Sequence, residues 1–194
     1  MPETTDDARV TDPVALRALA HPVRWKLIDV LASEGTVTAT RCAQVLGEST
    51  ATCSYHLGIL AKYGYITRVA GAQWREKPWK LARQDLGISA SGEDQEQAAA
   101  SRAAADAFVD HEMTRLRDAI RASADEPGEW QGTQRVMAAT ARLTAAEVRQ
   151  AITEIGQVLA RYGERAGESA RTETAREVRL FAAVSPAPAG PPDD

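Results

Sequence analysis

The sequence predicts a mainly helical protein with a few short strands. Apolar residues recur at helical spacing through most of residues 12–63 and 94–163, whereas β-branched runs are few and short. Residues that favour helix ends stand at the edges of the helical patterns. Asp12 is followed by a proline at the first helical position, and Gly47 follows the third pattern.

Four short helices are predicted in the N-terminal part of the chain. Each is preceded by a residue suited to a helix start or followed by a glycine that favours a helix end. The predicted bounds are 12–20, 22–35, 38–47 and 50–63. Between the third and fourth helices there is only a tight turn, from Gly47 to Ser49. Two short helices joined in this way are typical of a helix-turn-helix.

A two-stranded wing is predicted after the fourth helix. Residues 65–69 alternate and are β-branched, and a second strand-like segment, 74–81, follows a turn that contains Gly71. Pro78 within the second strand suits an edge strand, and an isolated hairpin has two edges. Residues 12–84 are therefore predicted to form a winged helix-turn-helix.

Charge is distributed unevenly along the chain, although the formal net charge is −4. Residues 12–84 contain ten lysines and arginines against five acids, a net of +5, while residues 1–11 carry −2 and residues 85–194 carry −7. A basic module attached to an acidic one is the pattern expected if only the first meets phosphate groups.

Three segments carry a resemblance to a known family. They are Ala18-Leu-Ala-His-Pro-Val-Arg24, Gly47-Glu-Ser-Thr-Ala-Thr-Cys-Ser-Tyr-His-Leu57 and Leu60-Ala-Lys-Tyr-Gly-Tyr-Ile66. In this order and spacing they resemble the winged-helix repressors of the ArsR type, over most of residues 12–84. The resemblance implies double-stranded DNA as the partner, a homodimer, and residues 49–57 as the recognition helix.

By this resemblance, five polar residues lie at or beside positions that face the major groove: Thr50, Thr52, Ser54, Tyr55 and His56. Helical spacing supports this assignment independently, because burial of Cys53 and Leu57 would turn the polar side chains outward, where they can meet base edges. A merely solvated face is the alternative for Ser54 and Tyr55. A half-buried histidine is the alternative for His56.

Four basic residues are predicted to contact the DNA backbone: Arg24, Arg68, Arg75 and Lys77. Arg24 begins the second helix, in a position that often faces the backbone. The other three flank the turn at Gly71, from which they can reach phosphates or the minor groove. A solvated charge is the alternative for each of these three.

Neither metal binding nor catalysis is predicted. Metal-sensing members of the family usually carry a Cys-x-Cys pair before the recognition helix, whereas Cys42 stands there alone. Cys42 and Cys53 fall at inward helical positions and are interpreted as core cysteines, and His111 lacks further ligands at coordinating spacing beyond Asp110. No sequence motif of a catalytic site is present, so we predict neither enzymatic activity nor a cofactor.

A second unit is predicted to follow a polar linker at residues 85–97. The second unit spans residues 98–184, and residues 1–11 and 185–194 are predicted to be disordered tails. A long helix, at about 94–124, carries a narrow apolar stripe that suits pairing with another helix. We predict that four residues of this stripe form the dimer contact: Val109, Met113, Leu116 and Ile120.

The remainder of the second unit is predicted to contain one helix and two strands. Thr144 and Glu147 form a capping box at the start of the helix, and strands are predicted at residues 134–143 and 177–184. The apolar faces of the helix and the last strand can line a small-molecule pocket, although both also suit plain core. The chain has neither a membrane-length apolar run nor a secretory signal at its acidic N-terminus, so a cytoplasmic location is predicted.

Taken together, these features predict a DNA-binding transcriptional regulator, a homodimeric repressor on a pseudo-palindromic operator, with a possible small-molecule effector. Two alternatives remain open. One is a metal or thiol sensor with the same DNA domain. The other is a winged helix that serves as a protein-interaction module.

Overall fold

The computed structural model describes residues 12–70, 77–82, 88, 94–123, 126, 128–163 and 175–187. The predicted mainly helical fold with a small sheet is confirmed in these residues. Their helices are α1 (Pro13–Leu19), α2 (Pro22–Glu34), α3 (Ala39–Leu46), α4 (Thr50–Lys62), α5 (Gln95–Ala122) and α6 (Ala145–Gly163). Their strands are β1 (Thr36–Val37), β2 (Ile66–Arg68) and β3 (Trp79–Leu81), and a 3₁₀ turn spans Gly128–Trp130.

Side chains close to the helix ends explain why the predicted bounds of α1 to α4 agree with the structure. Asp12 Oδ1 accepts a hydrogen bond from the Val14 amide at 3.0 Å. Thr38 Oγ1 accepts one from the Arg41 amide at 3.1 Å. Such bonds satisfy amides that lack a partner inside the helix. Gly47 ends α3 with a φ of 68°, a left-handed conformation that glycine adopts without a steric penalty.

In the part of the chain that the structure describes, the sheet has three strands rather than the predicted two. Its order is β1-β3-β2, and β3 runs antiparallel to both neighbours. Lys80 is therefore paired with Thr36 on one side and Thr67 on the other. The second wing strand is central and not an edge, which Pro78 permits because it precedes β3 and contributes only its carbonyl oxygen, 3.0 Å from the Val69 amide nitrogen.

One hydrophobic core joins α1 to α4, the sheet and α5. Trp25 of α2 is buried in this core, together with leucines from α1, α2 and α4. Ala100 and Ala104 of α5 are buried in the same cluster, and the ring of Phe108 lies 4.7 Å from the ring of Trp25. Burial of this apolar surface is the main stabilising contribution to such a fold.

A charged group also attaches α5 to α2. Asp29 Oδ2 lies 2.6 Å from His111 Nε2 and 2.6 Å from Arg115 Nη1. Burial by itself raises the pKa of Asp29, but the hydrogen bonds from His111 and Arg115 outweigh that effect and leave the pKa below its ordinary value. The ionised carboxylate is thereby favoured in the folded chain, so Asp29 joins the two helices.

The chain divides into two compact units, between Gln131 and Gly132. The polar composition of residues 85–97 suggested an earlier boundary, with the long helix in the second unit. In the structure, however, α5 packs against α1 and α2 and belongs to the first unit. Its small residues, Ala100 and Ala104, allow the close approach that this packing requires.

The second unit contains α6, whose start is confirmed as a capping box. Thr144 Oγ1 accepts a hydrogen bond from the Glu147 amide at 3.3 Å, and the Glu147 carboxylate accepts one from the Thr144 amide at 2.7 Å. The two predicted strands are not formed, since residues 134–143 and 177–184 have no regular structure. A strand requires a hydrogen-bonded neighbouring strand. Neither segment has such a neighbour within residues 132–163 and 175–187, whatever its apolar composition.

Candidate nucleic-acid interface

The turn between α3 and α4 positions the candidate recognition helix. After Gly47, the Glu48 amide donates to the Ala43 carbonyl oxygen at 3.1 Å. Ser49 then caps α4, because its Oγ accepts a hydrogen bond from the Thr52 amide at 3.0 Å. A left-handed glycine and a capping serine within a few residues hold the two helices in the compact arrangement of a helix-turn-helix.

Helix α4 has one buried and one exposed face. Cys53, Leu57 and Leu60 are fully buried in the core. The opposite face is exposed and consists of Thr50, Ala51, Ser54, Tyr55, Gly58 and Lys62, which we call the α4 outer face. It combines hydroxyl groups, an aromatic ring and one cation, a set of groups that can contact base edges and phosphates.

The five predicted groove-facing residues separate into two groups. Thr50, Ser54 and Tyr55 lie on the α4 outer face, and Tyr55 is 66% exposed. Thr52 is half-buried, and its hydroxyl oxygen lies 2.8 Å from Ser49 Oγ at the helix start. His56 is only 7% exposed and lies on the buried side of α4. The structure therefore offers three of the five to a partner directly.

His56 belongs to a cluster with His21 and Arg24 under α4. Arg24 Nε donates to His56 Nδ1 at 3.4 Å, and the rings of His21 and His56 lie 4.5 Å apart. The Arg24 guanidinium also donates to the Ala18 carbonyl oxygen. Burial, and then the neighbouring His21 and Arg24, lower the pKa of His56, which favours the neutral ring.

This cluster contacts Tyr55 through the ring of His56. The ring of His56 meets the ring of Tyr55 edge-on, with 5.2 Å between centroids. Arg24, predicted from sequence to reach the DNA backbone, is half-buried, and burial lowers its pKa. Its two hydrogen bonds within the chain give it a positioning role, because the one to His56 joins α2 to α4 and the one to Ala18 joins α2 to α1.

The wing places one basic residue outward and holds another on the sheet. Lys77 is exposed just before β3. The Arg68 guanidinium carbon lies 3.7 Å from the centroid of the Trp79 ring. Arg68 Nη1 also donates to the Lys77 carbonyl oxygen at 2.6 Å. Arg68 remains exposed, so the stack on Trp79 orients a cation at the surface. Arg75 lies outside the described residues.

Sequence reasoning missed three members of the α4 outer face as candidate contacts: Ala51, Gly58 and Lys62. Gly58 is notable because it lies in the interior of the helix, where a Cβ atom would meet nothing within 4 Å. Packing within the chain therefore does not require glycine there. The signal was available in the sequence, since Gly58 and Lys62 follow Ser54 at steps of four.

The predicted dimer residues lie on a part of α5 that the rest of the chain covers only partly. Val109 and Ile120 are 43% and 47% exposed, and Met113 and Leu116 are half-buried. The face of α5 that packs into the core of its own chain lies next to this stripe and includes Ala104 and Phe108. Part of the apolar stripe, at Val109 and Ile120, is thus exposed in the single chain, and the dimer contact stays a prediction.

The two cysteines are buried and are not joined in a disulfide. Burial raises the pKa of Cys53, which disfavours the thiolate needed to bind metal. In the described part of the chain, no group of three or more His, Cys, Asp or Glu residues is arranged to hold a metal ion. His111 is instead paired with Asp29.

Comparison with known families agrees with this geometry. A family model described as a helix-turn-helix domain matches residues 19–69, which span α2, the α3–α4 pair and β2. The chain therefore carries a helix-turn-helix of the DNA-binding type found in transcription regulators. A search of curated proteins finds no match to the chain. Within the described segments, no helix is long and apolar enough to cross a membrane.

Proposed function

We propose that the protein is a homodimeric transcriptional repressor that binds a pseudo-palindromic site on double-stranded DNA. Each subunit inserts α4 into the major groove, and Lys77 and Arg68 of the wing contact adjacent phosphates. Recognition helices of a dimer occupy half-sites about one helical turn apart, about 10 base pairs. The ArsR-type resemblance supports the repressor role, and regulation by an effector through the second unit stays a prediction.

The α4 outer face is the observation that carries this proposal. It is polar and exposed, yet the helix beneath it is held rigidly by fully buried Cys53, Leu57 and Leu60. A rigid helix with a polar outer face, which follows a tight turn, is suited to major-groove contact. The net charge of +5 over residues 12–84 supports attraction to phosphates.

Selection of bound sequences from random DNA by the purified full-length protein tests the proposal. The selected site is then titrated with the parent chain and with Tyr55→Ala. If Tyr55 contacts a base, the substitution should lower affinity for the selected site by about 1–3 kcal/mol and affinity for random DNA much less. Tyr162→Ala is the matched control, because Tyr162 is an exposed tyrosine of α6.

Equal losses on both DNAs would remove Tyr55 from the base contacts. If the chain shows no salt-dependent DNA binding at all, the proposal fails and the protein-interaction module is favoured. A chelator should leave DNA affinity unchanged, since the buried thiols of Cys42 and Cys53 form no metal site with other described residues. Loss of binding on chelation would instead favour the metal sensor.

A further inference from the structure

A row of three rings connects the start of α2 to the α4 outer face. The centroid of the His21 ring lies 4.5 Å from that of His56, and the centroid of the His56 ring lies 5.2 Å from that of Tyr55. His56 is 7% exposed, whereas Tyr55 is 66% exposed. His56 therefore joins the buried side of α4 to a residue of its outer face.

The hydrogen bonds of this row require neutral histidine rings. Arg24 Nε donates to His56 Nδ1 at 3.4 Å, and the Val23 amide donates to His21 Nδ1 at 3.3 Å. A ring nitrogen that accepts a hydrogen bond carries no proton, so the proton of the neutral His56 ring is on Nε2. The arginine side chain is always charged and has only donors. The bond between Arg24 and His56 therefore exists only while His56 is neutral.

Protonation of His56 would replace this bond with a repulsion. The added proton on Nδ1 would point at the Arg24 Nε–H group, and two cations would face each other in a partly buried site. Within the described residues, the titratable and charged groups that face the cluster are His21 and Arg24 at the start of α2, Glu48 in the turn before α4, and Tyr55 and Tyr63 in α4 and at its C-terminal cap. Glu48 favours the protonated ring, but burial, His21 and Arg24 outweigh it and lower the pKa of His56.

We infer that the site-specific DNA binding of this protein depends on pH through the hydrogen bond between Arg24 and His56. With His56 neutral, this bond joins α2 to α4, and the His56 ring packs edge-on against Tyr55. With His56 protonated, the bond is lost and the ring is repelled by Arg24, so Tyr55 loses the support that holds it for contact with a base. The inference rests on the proposed function, because it requires α4 to contact DNA.

The expected pH dependence differs between the selected site and random DNA. Histidine changes its charge between about pH 5 and about pH 8. Affinity for the selected site should fall about tenfold as the pH decreases through this range, the size expected for loss of one hydrogen bond to a charged group. The added positive charge itself attracts phosphates, so affinity for random DNA should stay constant or rise. A fall confined to the selected site thus separates loss of recognition from a general effect of charge.

DNA titration of the full-length chain from about pH 8 to about pH 5, at constant ionic strength, tests the inference. His56→Gln supplies an acceptor that does not titrate, so its affinity for the selected site should stay within about twofold over this range. Arg24→Gln is a second variant, which leaves His56 in place. Its amide nitrogen is as many bonds from Cα as Arg24 Nε, so it can donate to the neutral ring. After rotation its oxygen can accept from the protonated ring, so this variant should also lose the pH dependence.

His111→Gln is the matched control, because His111 lies on α5 and is paired with Asp29. It should keep the pH dependence of the parent chain. Thermal unfolding at each pH verifies that every variant is folded at the temperature of the titration, so that loss of binding is not loss of fold. If His56→Gln does not fold, Arg24→Gln decides the test by itself.

The outcomes separate this inference from the proposed function. A parent chain that binds no DNA specifically at about pH 8 would overturn both. Specific binding that does not weaken toward about pH 5, or that weakens equally in His56→Gln or in Arg24→Gln, would overturn the pH dependence inferred for this cluster and leave the proposed function standing. Weakening in the parent chain and in His111→Gln that both cluster variants abolish would support the inference.

Discussion

Replacement of Gly58 by alanine should stabilise the fold and weaken DNA binding at the same time. Gly58 lies within α4, and a Cβ atom there would meet nothing within 4 Å. Alanine is favoured over glycine in a helix interior by about 0.5–1 kcal/mol, because the unfolded glycine has more conformational freedom to lose. With no steric conflict in the chain, nearly all of that difference should appear as increased stability.

The effect on DNA should have the opposite sign. If the α4 outer face lies in the major groove, the added methyl group occupies space next to the bases. Forcing an extra methyl into a packed contact costs about 1–3 kcal/mol. Affinity for the selected site should therefore fall about 5- to 150-fold, although the protein itself is more stable.

Thermal unfolding and DNA titration of the same preparation measure the two effects. A gain of 0.5–1 kcal/mol corresponds to an increase of about 2–4 °C in Tm for a unit of this size. Gly156→Ala is the matched control, because Gly156 lies in α6 and also has open space around its Cβ position. It should leave DNA affinity unchanged. Unchanged DNA affinity of Gly58→Ala would refute the placement of this face against DNA, and a lower Tm would refute the claim that the position is sterically open.

Four further predictions follow from the core, the ionisable groups and the wing. A fragment of residues 1–131 should fold. A fragment of residues 1–87 should unfold at a lower temperature, or be unfolded at all temperatures, because it lacks the α5 face of the core. Equal Tm values for the two fragments would contradict this prediction. The pKa of Asp29 is lowered in the folded chain, so the stabilisation that the ionised carboxylate supplies is present above pH ~4 and is lost as the pH falls through the pKa of the folded chain. Asp29→Asn should remove this acid-dependent part of the stability. Denaturant unfolding from pH 3 to 7 measures the change. The pKa of His56 is also lowered, from an ordinary 6.5, so protonation favours the unfolded chain and stability should fall as the pH decreases below 6.5. His56→Gln should flatten this dependence of stability on pH. An unaltered pH profile of stability would show that another group titrates in this range. Lys77→Ala should weaken binding to all DNA and reduce the slope of log K against log salt by about one unit, whereas an unchanged slope would place Lys77 away from phosphate.

The local structure of the DNA-binding module could be predicted from sequence because it depends on near neighbours. Asp12 and Thr38 each bond an amide only two or three residues away, so the helix starts are visible in short segments. Gly47 likewise ends α3 through its own conformational freedom. The exposed candidates Ser54 and Tyr55 also follow from local pattern, since helical spacing relates them directly to the buried Cys53.

Other features depend on residues distant in sequence. Two residues before α3, Thr36 and Val37, become a strand only because β3 is available to pair with them. Arg24 and His56 are 32 positions apart and both polar, so nothing nearby indicates that they bond to each other under α4. Polar side chains are predicted to be exposed unless a partner is known, and such partners are set by the fold.

The sequence by itself determined the helices, their ends, the helix-turn-helix and the basic character of the first unit. Tertiary structure alone decided that α5 belongs to the first unit, through Ala104 in the core and the pairing of Asp29 with His111. It also decided that residues 134–143 and 177–184 form no strands. The physical reason is the range of the forces involved: capping and helical periodicity act within one or two turns, whereas strand pairing and burial require a partner surface that only the folded chain provides.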